Sequence, residues 1–217
     1  VNMSKRPKRS RHSLFGWPPN QKAAPQANHS VSQDAPFKIF VQGDIMRLQN
    51  KVIVVTGSAS GIGQAAAISS AQDGAKVAVV DLNQEGIDNT VEAIQNAGGQ
   101  AQGFCVDIQE EDQVRALFDK IEDAFDHIDG LIHAAGILEG ALTPVDNFDE
   151  LTWDRVIDIN LKGSFLVSKY AVPLIKKTEN GVIVLISSVA GVKGGSSSVA
   201  YGSSKGGVHG LSLVLAS

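Results

Sequence analysis

The chain is poor in cysteine: Cys105 stands alone among 217 residues. That excludes an intrachain disulfide framework and a zinc site built on several thiolates, and a reducing compartment fits. Long apolar runs are missing too. Interruptions such as Asp73-Gly74 and Glu110-Glu111-Asp112 recur, so no stretch approaches the ~20 residues of a membrane helix. Basic residues thin out along the chain: residues 1–45 hold seven of the 19 bases and two of the 23 acids, leaving 12 against 21 for the rest. A surface that acidic repels phosphate backbones, so nucleic acid is not an expected partner. Hydrophobic residues at 43% and charged residues at 19% are close to ordinary globular usage, which argues against wholesale disorder.

Residues 1–45 differ in texture. They carry Lys5, Arg6, Lys8, Arg9, Arg11, Lys22 and Lys38 against Asp34 and Asp44, and five of the seven prolines (Pro7, Pro18, Pro19, Pro25, Pro36). With no sustained period of either kind, such a stretch buries too little apolar surface to offset its ordering entropy and is expected to be disordered. The chain opens with Val1, whereas Met46-Arg47-Leu48-Gln49-Asn50-Lys51-Val52 has the look of a natural start, so a spurious or dispensable extension is the reading taken. An organelle transit peptide and a binding tail are the alternatives, the first weakened by prolines that break an amphipathic helix. Residues 46–217 then form one domain.

From Lys51 the pattern is regular. Val52-Ile53-Val54-Val55 is a continuous β-branched run, as in a strand buried on both faces. A glycine-rich turn follows, then an Ala-rich helix from about Gln64 to Asp73-Gly74, and a second strand at Val77-Ala78-Val79-Val80. Asn83 is placed to cap a helix carrying Ile87, Val91 and Ile94, which Gly98-Gly99 closes. Residues 101–106 read as a third strand, and a helix opened by three acids carries Val114, Leu117, Phe118, Ile121 and Phe125 along one stripe. Leu131-Ile132 marks a fourth strand, residues 149–177 one long helix, residues 182–186 a fifth strand and residues 200–217 a last helix. Uninterrupted alternation of this kind predicts an α/β fold, a doubly wound parallel sheet of Rossmann type. Ligands of such sheets lie beyond the carboxyl ends of the strands. The chemistry is therefore expected just after Val55, Val80, Val106, Ile132 and Ile186.

The first of those segments is Thr56-Gly57-Ser58-Ala59-Ser60-Gly61-Ile62-Gly63. Glycines let a backbone turn sharply and approach a pyrophosphate, whose charge is stabilised by the amides opening the next helix. Gly61-Ile62-Gly63-Gln64-Ala65-Ala66 satisfies the G-x-G-x-x-G/A fingerprint, and Asp81 ends the second strand 18 residues after Gly63. A carboxylate there accepts from ribose hydroxyls and repels a 2′-phosphate; neither Ser60 nor Leu82 is basic, so NAD is expected rather than NADP. The plain alternative for Asp81 is a solvated turn acid.

After the fifth strand, Tyr201 and Lys205 stand at i and i+4 on one helix face. A neighbouring ammonium favours a phenolate, which suits a phenol to acid–base work. Ser188 precedes Tyr201 by 13 positions, where its hydroxyl can hold a substrate oxygen. Asn160 interrupts an apolar helix among Ile157, Ile159, Leu161 and Phe165, either as a functional group or as an irregularity bonding a nearby carbonyl. His133 and His209 are read as packed or hydrogen-bonded residues rather than as bases.

Together these residues resemble the standard branch of the short-chain dehydrogenase/reductase family over 46–217, with three residues between Gly57 and Gly61. The resemblance implies that Tyr201 donates or accepts the proton, Ser188 orients the carbonyl or alcohol, Lys205 holds the nicotinamide ribose and tunes Tyr201, and Asn160 supports a water in a proton relay. It further implies a cofactor site at Gly57, Ser58, Ser60, Gly61, Ile62 and Gly63, with Asp81 on the ribose, Asp107 and Ile108 at the adenine, and Ala135, Gly136, Tyr201 and Lys205 completing it. No metal is implied. The family's Asn-Asn-Ala-Gly is His133-Ala134-Ala135-Gly136 here, and the chain stops inside a helix at Ser217, as a carboxyl-terminally truncated member would.

The expected activity is reversible hydride transfer between NAD(H) and a secondary alcohol or ketone. The alternatives are a 3-oxoacyl-acyl-carrier-protein reductase, against which Asp81 and the acidic core weigh, and a non-catalytic dinucleotide-binding fragment. A small-molecule alcohol or carbonyl partner, no membrane partner, a homo-oligomer when complete, and the cytoplasm as location go with that expectation. Residues around 138–140 and 190–195 are too generic to name a substrate.

Overall fold

The computed structural model describes residues 46–193 and 197–217, so the expected disorder of residues 1–45 lies outside the described residues. Five strands form one parallel sheet: β1 (Val52–Thr56), β2 (Lys76–Asp81), β3 (Gln100–Cys105), β4 (Gly130–His133) and β5 (Val182–Leu185), in the order β3-β2-β1-β4-β5. Six α-helices connect and flank them: α1 (Gly61–Gln72), α2 (Gln84–Asn96), α3 (Glu111–Phe125), α4 (Glu150–Ile157), α5 (Gly163–Ile175) and α6 (Val199–Leu215). The strand order reverses at β1, whose neighbours are β2 and β4, and this switch point opens a crevice at the carboxyl ends of β1 and β4.

Strand alternation sorts the core into two layers. Ile53 and Val55 of β1 and Val77 and Val79 of β2 pack with Ala67 of α1 and Ile87 and Ile94 of α2. Val54, Ala78, Val80 and Leu131 face the other way, onto Leu117 and Ile121 of α3 and Leu166, Val167 and Leu174 of α5. All five residues of β1 are buried, as a central strand covered on both faces requires. Each fully buried Val or Leu contributes roughly 1.5–3 kcal/mol. Asn83 caps α2 as expected, accepting from the Gly86 amide at 3.1 Å. Gly98, with φ +83°, turns the chain away from the end of α2.

The long helix expected over 149–177 is not continuous. Between α4 and α5, residues Asp158–Lys162 form a π turn centred on Asn160, which has no solvent exposure. The cause is tertiary. The Asn160 carboxamide binds both backbone groups of Ile137, accepting from its N–H at 2.8 Å and donating to its carbonyl at 2.9 Å. Its Nδ2 also lies 3.0 Å from Ser204 Oγ on α6. Ties to two other segments hold one inserted residue in the helix, a feature that recurs at functional sites. Pro173 sits inside α5 without ending it.

Candidate active site

The turn between β1 and α1 can only be built with glycine. Gly57 has φ +69°, and a Cβ there would lie 2.5 Å from the Ala135 amide nitrogen. A Cβ on Gly63 would lie 2.1 Å from the Gly57 carbonyl oxygen. The turn is thus folded on itself and pressed against the end of β4. Its inward groups are tied down: Ser58 N–H and Oγ both reach the Val80 carbonyl, at 3.3 and 3.1 Å. The amides of Gly61, Ile62 and Gly63 open α1 and, like those of any first helical turn, have no carbonyl four residues back within the helix to receive them.

In front of this turn lies a cleft of about 420 Å³. Gly57, Ser60, Gly61, Ile62 and Gly63 line one wall, and Asp81, Asp107 and Ile108 line the side below β2 and β3. Ala135 and Gly136 close it beside β4. Ser58 is the expected cofactor residue that faces elsewhere: it is fully buried beneath the turn and lines no part of the cleft. Val80, Leu82, Val106, Gln109, Ala134, Ile137 and Ile159 also line it. Six of those seven, all but Ile159, adjoin Asp81, Asp107, Ile108, Ala135 or Gly136, positions already singled out beyond strand ends, so the rule that located Asp81 could have found them.

Asp81 is held by three backbone amides. Its Oδ2 accepts from Ala59 N–H at 3.0 Å, and its Oδ1 from Leu82 and Asn83 N–H at 2.8 and 3.0 Å. The carboxylate that ends β2 is therefore fastened to the glycine turn, and Oδ2, with one bond against two at Oδ1, keeps the spare lone-pair capacity. Asp107 is fixed in a similar way, its Oδ1 accepting from Gln109 N–H at 3.0 Å.

The cleft ends at Gly136, and the other expected residues converge just beyond. A Cβ on Gly136 would lie 3.1 Å from Asn160 Oδ1 and 3.3 Å from Lys205 Nζ, so both polar groups sit against the bare glycine. Lys205 is 5% exposed and donates to the Ile186 carbonyl at 2.7 Å. Burial holds its pKa below the ordinary lysine value. Its Nζ stands 5.8 Å from the centroid of the half-buried Tyr201 ring, one helical turn earlier on α6. Ser198 caps α6 by accepting from the Tyr201 amide at 3.0 Å. Ser188 follows β5, half-buried, its Oγ accepting from Ala190 N–H at 3.2 Å. The turn it opens is packed directly on α6, since a Cβ on Gly191 would lie 2.4 Å from the Gly206 nitrogen. Ser188 and Tyr201 are thereby brought to the same end of the sheet.

His133 lies under this cluster. It is 2% exposed, its Nδ1 is 2.7 Å from Thr56 Oγ1, and its buried Nε2 has no partner among the described residues. Burial, aided by the nearby Lys205 charge, drives its pKa down to about 3, so the ring is neutral at physiological pH. That agrees with a packed, hydrogen-bonded residue and not with a base.

The cleft suits a dinucleotide. Bare glycine backbone clears one wall, helix-opening amides offer an anion site, and a carboxylate and an ammonium stand at opposite ends. Among the described residues no group of three or more His, Cys, Asp or Glu side chains is arranged to hold a metal ion, and no helix is long and apolar enough to cross a membrane.

Known proteins resemble this chain in sequence and fold. The family model described as short chain dehydrogenase matches residues 51–217. An uncharacterised oxidoreductase of Bacillus subtilis is 41% identical over 174 residues, covering 78% of this chain and 62% of its own length. A 3-oxoacyl-[acyl-carrier-protein] reductase of Thermotoga maritima is 38% identical over 166 residues, covering 76% of this chain and 67% of its own length. The matched part of the chain thus spans about two thirds, or less, of these relatives. Among solved structures, a short chain dehydrogenase from Shigella flexneri superposes with a TM-score of 0.76 at 31% identity, covering 81% of this chain and 69% of that one.

Proposed function

The chain belongs to the short-chain dehydrogenase family, and from that premise we propose that it carries the catalytic residues of an NAD-dependent oxidoreductase that interconverts a secondary alcohol and a ketone. The observation that carries this reading is the meeting at Gly136 of the glycine-lined cleft with Asn160 and Lys205. When bound, the nicotinamide accepts or donates the hydride.

The chain's own residues handle the proton and the geometry. In the oxidation direction Tyr201 takes the proton from the substrate hydroxyl as the carbon gives up its hydride, leaving the ketone; in reduction it returns that proton. Lys205, whose Nζ stands 5.8 Å from the Tyr201 ring centroid, holds the nicotinamide ribose from the end of the cleft. Ser188 Oγ holds the substrate oxygen. Asn160, fixed by Ile137 and Ser204, braces the wall behind Lys205 and supports the relay that returns the proton to water.

Asp81 supports NAD over NADP. The carboxylate is locked in place by three amides, and among the described residues no base lines the cleft beside it to neutralise a 2′-phosphate. Titration of the intrinsic fluorescence with NADH and NADPH should show at least about a tenfold preference for NADH, or 1.4 kcal/mol. Asp81→Ala should narrow the gap. Equal or tighter NADPH binding by the unchanged protein would refute the assignment. An acyl-carrier-protein ketoreductase is the second reading, favoured by the likeness to the Thermotoga maritima enzyme, with Asp81 and the acidic core weighing against it.

A further inference from the structure

Thr90 is a fully buried residue in the middle of α2, and its hydroxyl reaches out of the helix. Thr90 Oγ1 lies 2.8 Å from the Gly86 carbonyl of its own helix and 2.9 Å from the Ser58 carbonyl of the glycine turn. It accepts from Gln64 Nε2 at 3.0 Å. A buried helical threonine ordinarily bonds only the carbonyl four residues back. Here one proton is shared between that carbonyl and the turn, while the Gln64 amide, from α1, occupies an acceptor site on the same oxygen. Gln64 Nε2 also lies 3.4 Å from the Ala59 carbonyl. The fit around this network is close, because a Cβ on Gly86 would meet Ala59 Cβ at 2.5 Å.

These contacts fix consecutive peptide planes. In a trans peptide the N–H points opposite to the preceding C=O. The plane of the Ser58 carbonyl is held by Thr90 at one end and, through Ala59 N–H, by Asp81 at the other. The plane of the Ala59 carbonyl turns toward Gln64, so its N–H, that of Ser60, points the other way, and Ser60 is a cleft residue. We propose that Thr90 and Gln64 are positioning residues for cofactor binding, which hold the carbonyls of the glycine turn inward so that its free amides converge on the pyrophosphate. They touch no cofactor atom in this role. The inference rests on the dinucleotide reading of the cleft.

Ligands with and without phosphates separate this role from a general packing role. Thr90→Val keeps the shape and removes the hydroxyl; Thr90→Ser keeps the hydroxyl; Gln64→Leu removes the amide from a half-buried position. NADH, ADP and adenosine are titrated against each variant and the unchanged full chain, by fluorescence for NADH and by ligand-observed NMR for the others. Thr90→Val and Gln64→Leu should each weaken NADH and ADP by roughly tenfold, the scale of a lost buried hydrogen bond, and leave adenosine within about twofold. Thr90→Ser should restore both phosphorylated ligands. Unchanged NADH and ADP affinity in the two variants, or an equal loss for adenosine, would overturn the proposal. If Thr90→Val does not fold, Gln64→Leu decides alone. A parent protein that binds neither NADH nor ADP would instead overturn the dinucleotide reading beneath it.

Discussion

Acidification should destabilise this domain through one buried ring, and the size of the effect follows from the site. His133 is 2% exposed, and its ring stays neutral in the fold down to a pKa of about 3. In the unfolded chain the same imidazole titrates near 6.5. Below 6.5 the unfolded state therefore binds a proton that the folded state refuses. The stability that His133 contributes is fully present above pH 6.5 and is lost as pH falls from there toward 3. At 1.36 kcal/mol per unit, the loss between pH 7 and pH 5 is about 2 kcal/mol, or about 4–8 °C in Tm for a domain of this size. His133→Asn removes the titration while leaving Thr56 a side-chain partner. The assay is urea unfolding of both proteins at pH 7 and pH 5. The variant starts lower because the smaller side chain leaves a void, yet it should lose about 2 kcal/mol less than the parent on acidification. Parallel losses would show that His133 takes up its proton in the folded state at an ordinary pH, and the account of its burial would be wrong.

What the sequence reveals about this molecule is local. The β-branched run of β1, the glycine turn and the Asn83 cap each depend on residues within a few positions of one another, and each appears in the structure. Tyr201 and Lys205 share a helix face because i and i+4 must. What stays hidden depends on distant partners. Residues 149–177 carry one helical period in which Asn160 stands out as an irregularity suited to bond a carbonyl, and it does so, but its partner Ile137, 23 positions away, and the π turn are not legible there. Thr90 looks like an indifferent helix residue until α2 is laid against a turn 32 positions earlier. Ser58 shows the converse: its place in a glycine-rich turn suggests contact with a ligand, but its side chain points inward and donates to the Val80 carbonyl. The match of His133 with Thr56 needs the β1–β4 register, which no pattern of single residues supplies.

Three further outcomes are open to measurement. Gly63→Ala should abolish NADH binding and lower Tm, since its Cβ would sit 2.1 Å from the Gly57 carbonyl oxygen and backbone cannot give way as a side-chain tip can; NADH titration and thermal unfolding check it. Asp129 joins the amino ends of β1 and β4, accepting from Lys51 Nζ and Val52 N–H, each at 2.9 Å, so Asp129→Ala should cost about 1–3 kcal/mol in urea unfolding. Burial pushes that carboxyl's pKa up, but the Lys51 and Val52 hydrogen bonds outweigh it and hold it below the usual value. The stability it adds is thus present above the ordinary carboxylate range and is lost as pH falls through the lowered pKa. The last expectation separates Tyr201 from its neighbours in whichever form of the enzyme turns over. Tyr201→Phe removes a hydroxyl and leaves the ring beside Lys205, so NADH affinity should hold while turnover falls ~100-fold or more. On the proposed reading Ser188→Ala should also spare NADH, its oxygen being assigned to the substrate alone, whereas Lys205→Ala should damage both binding and turnover, its ammonium standing against Gly136 where the cleft ends. A turnover series on the three variants, run beside cofactor titrations, tests the division of labour. Near-normal turnover in Tyr201→Phe would mean that another group carries the proton.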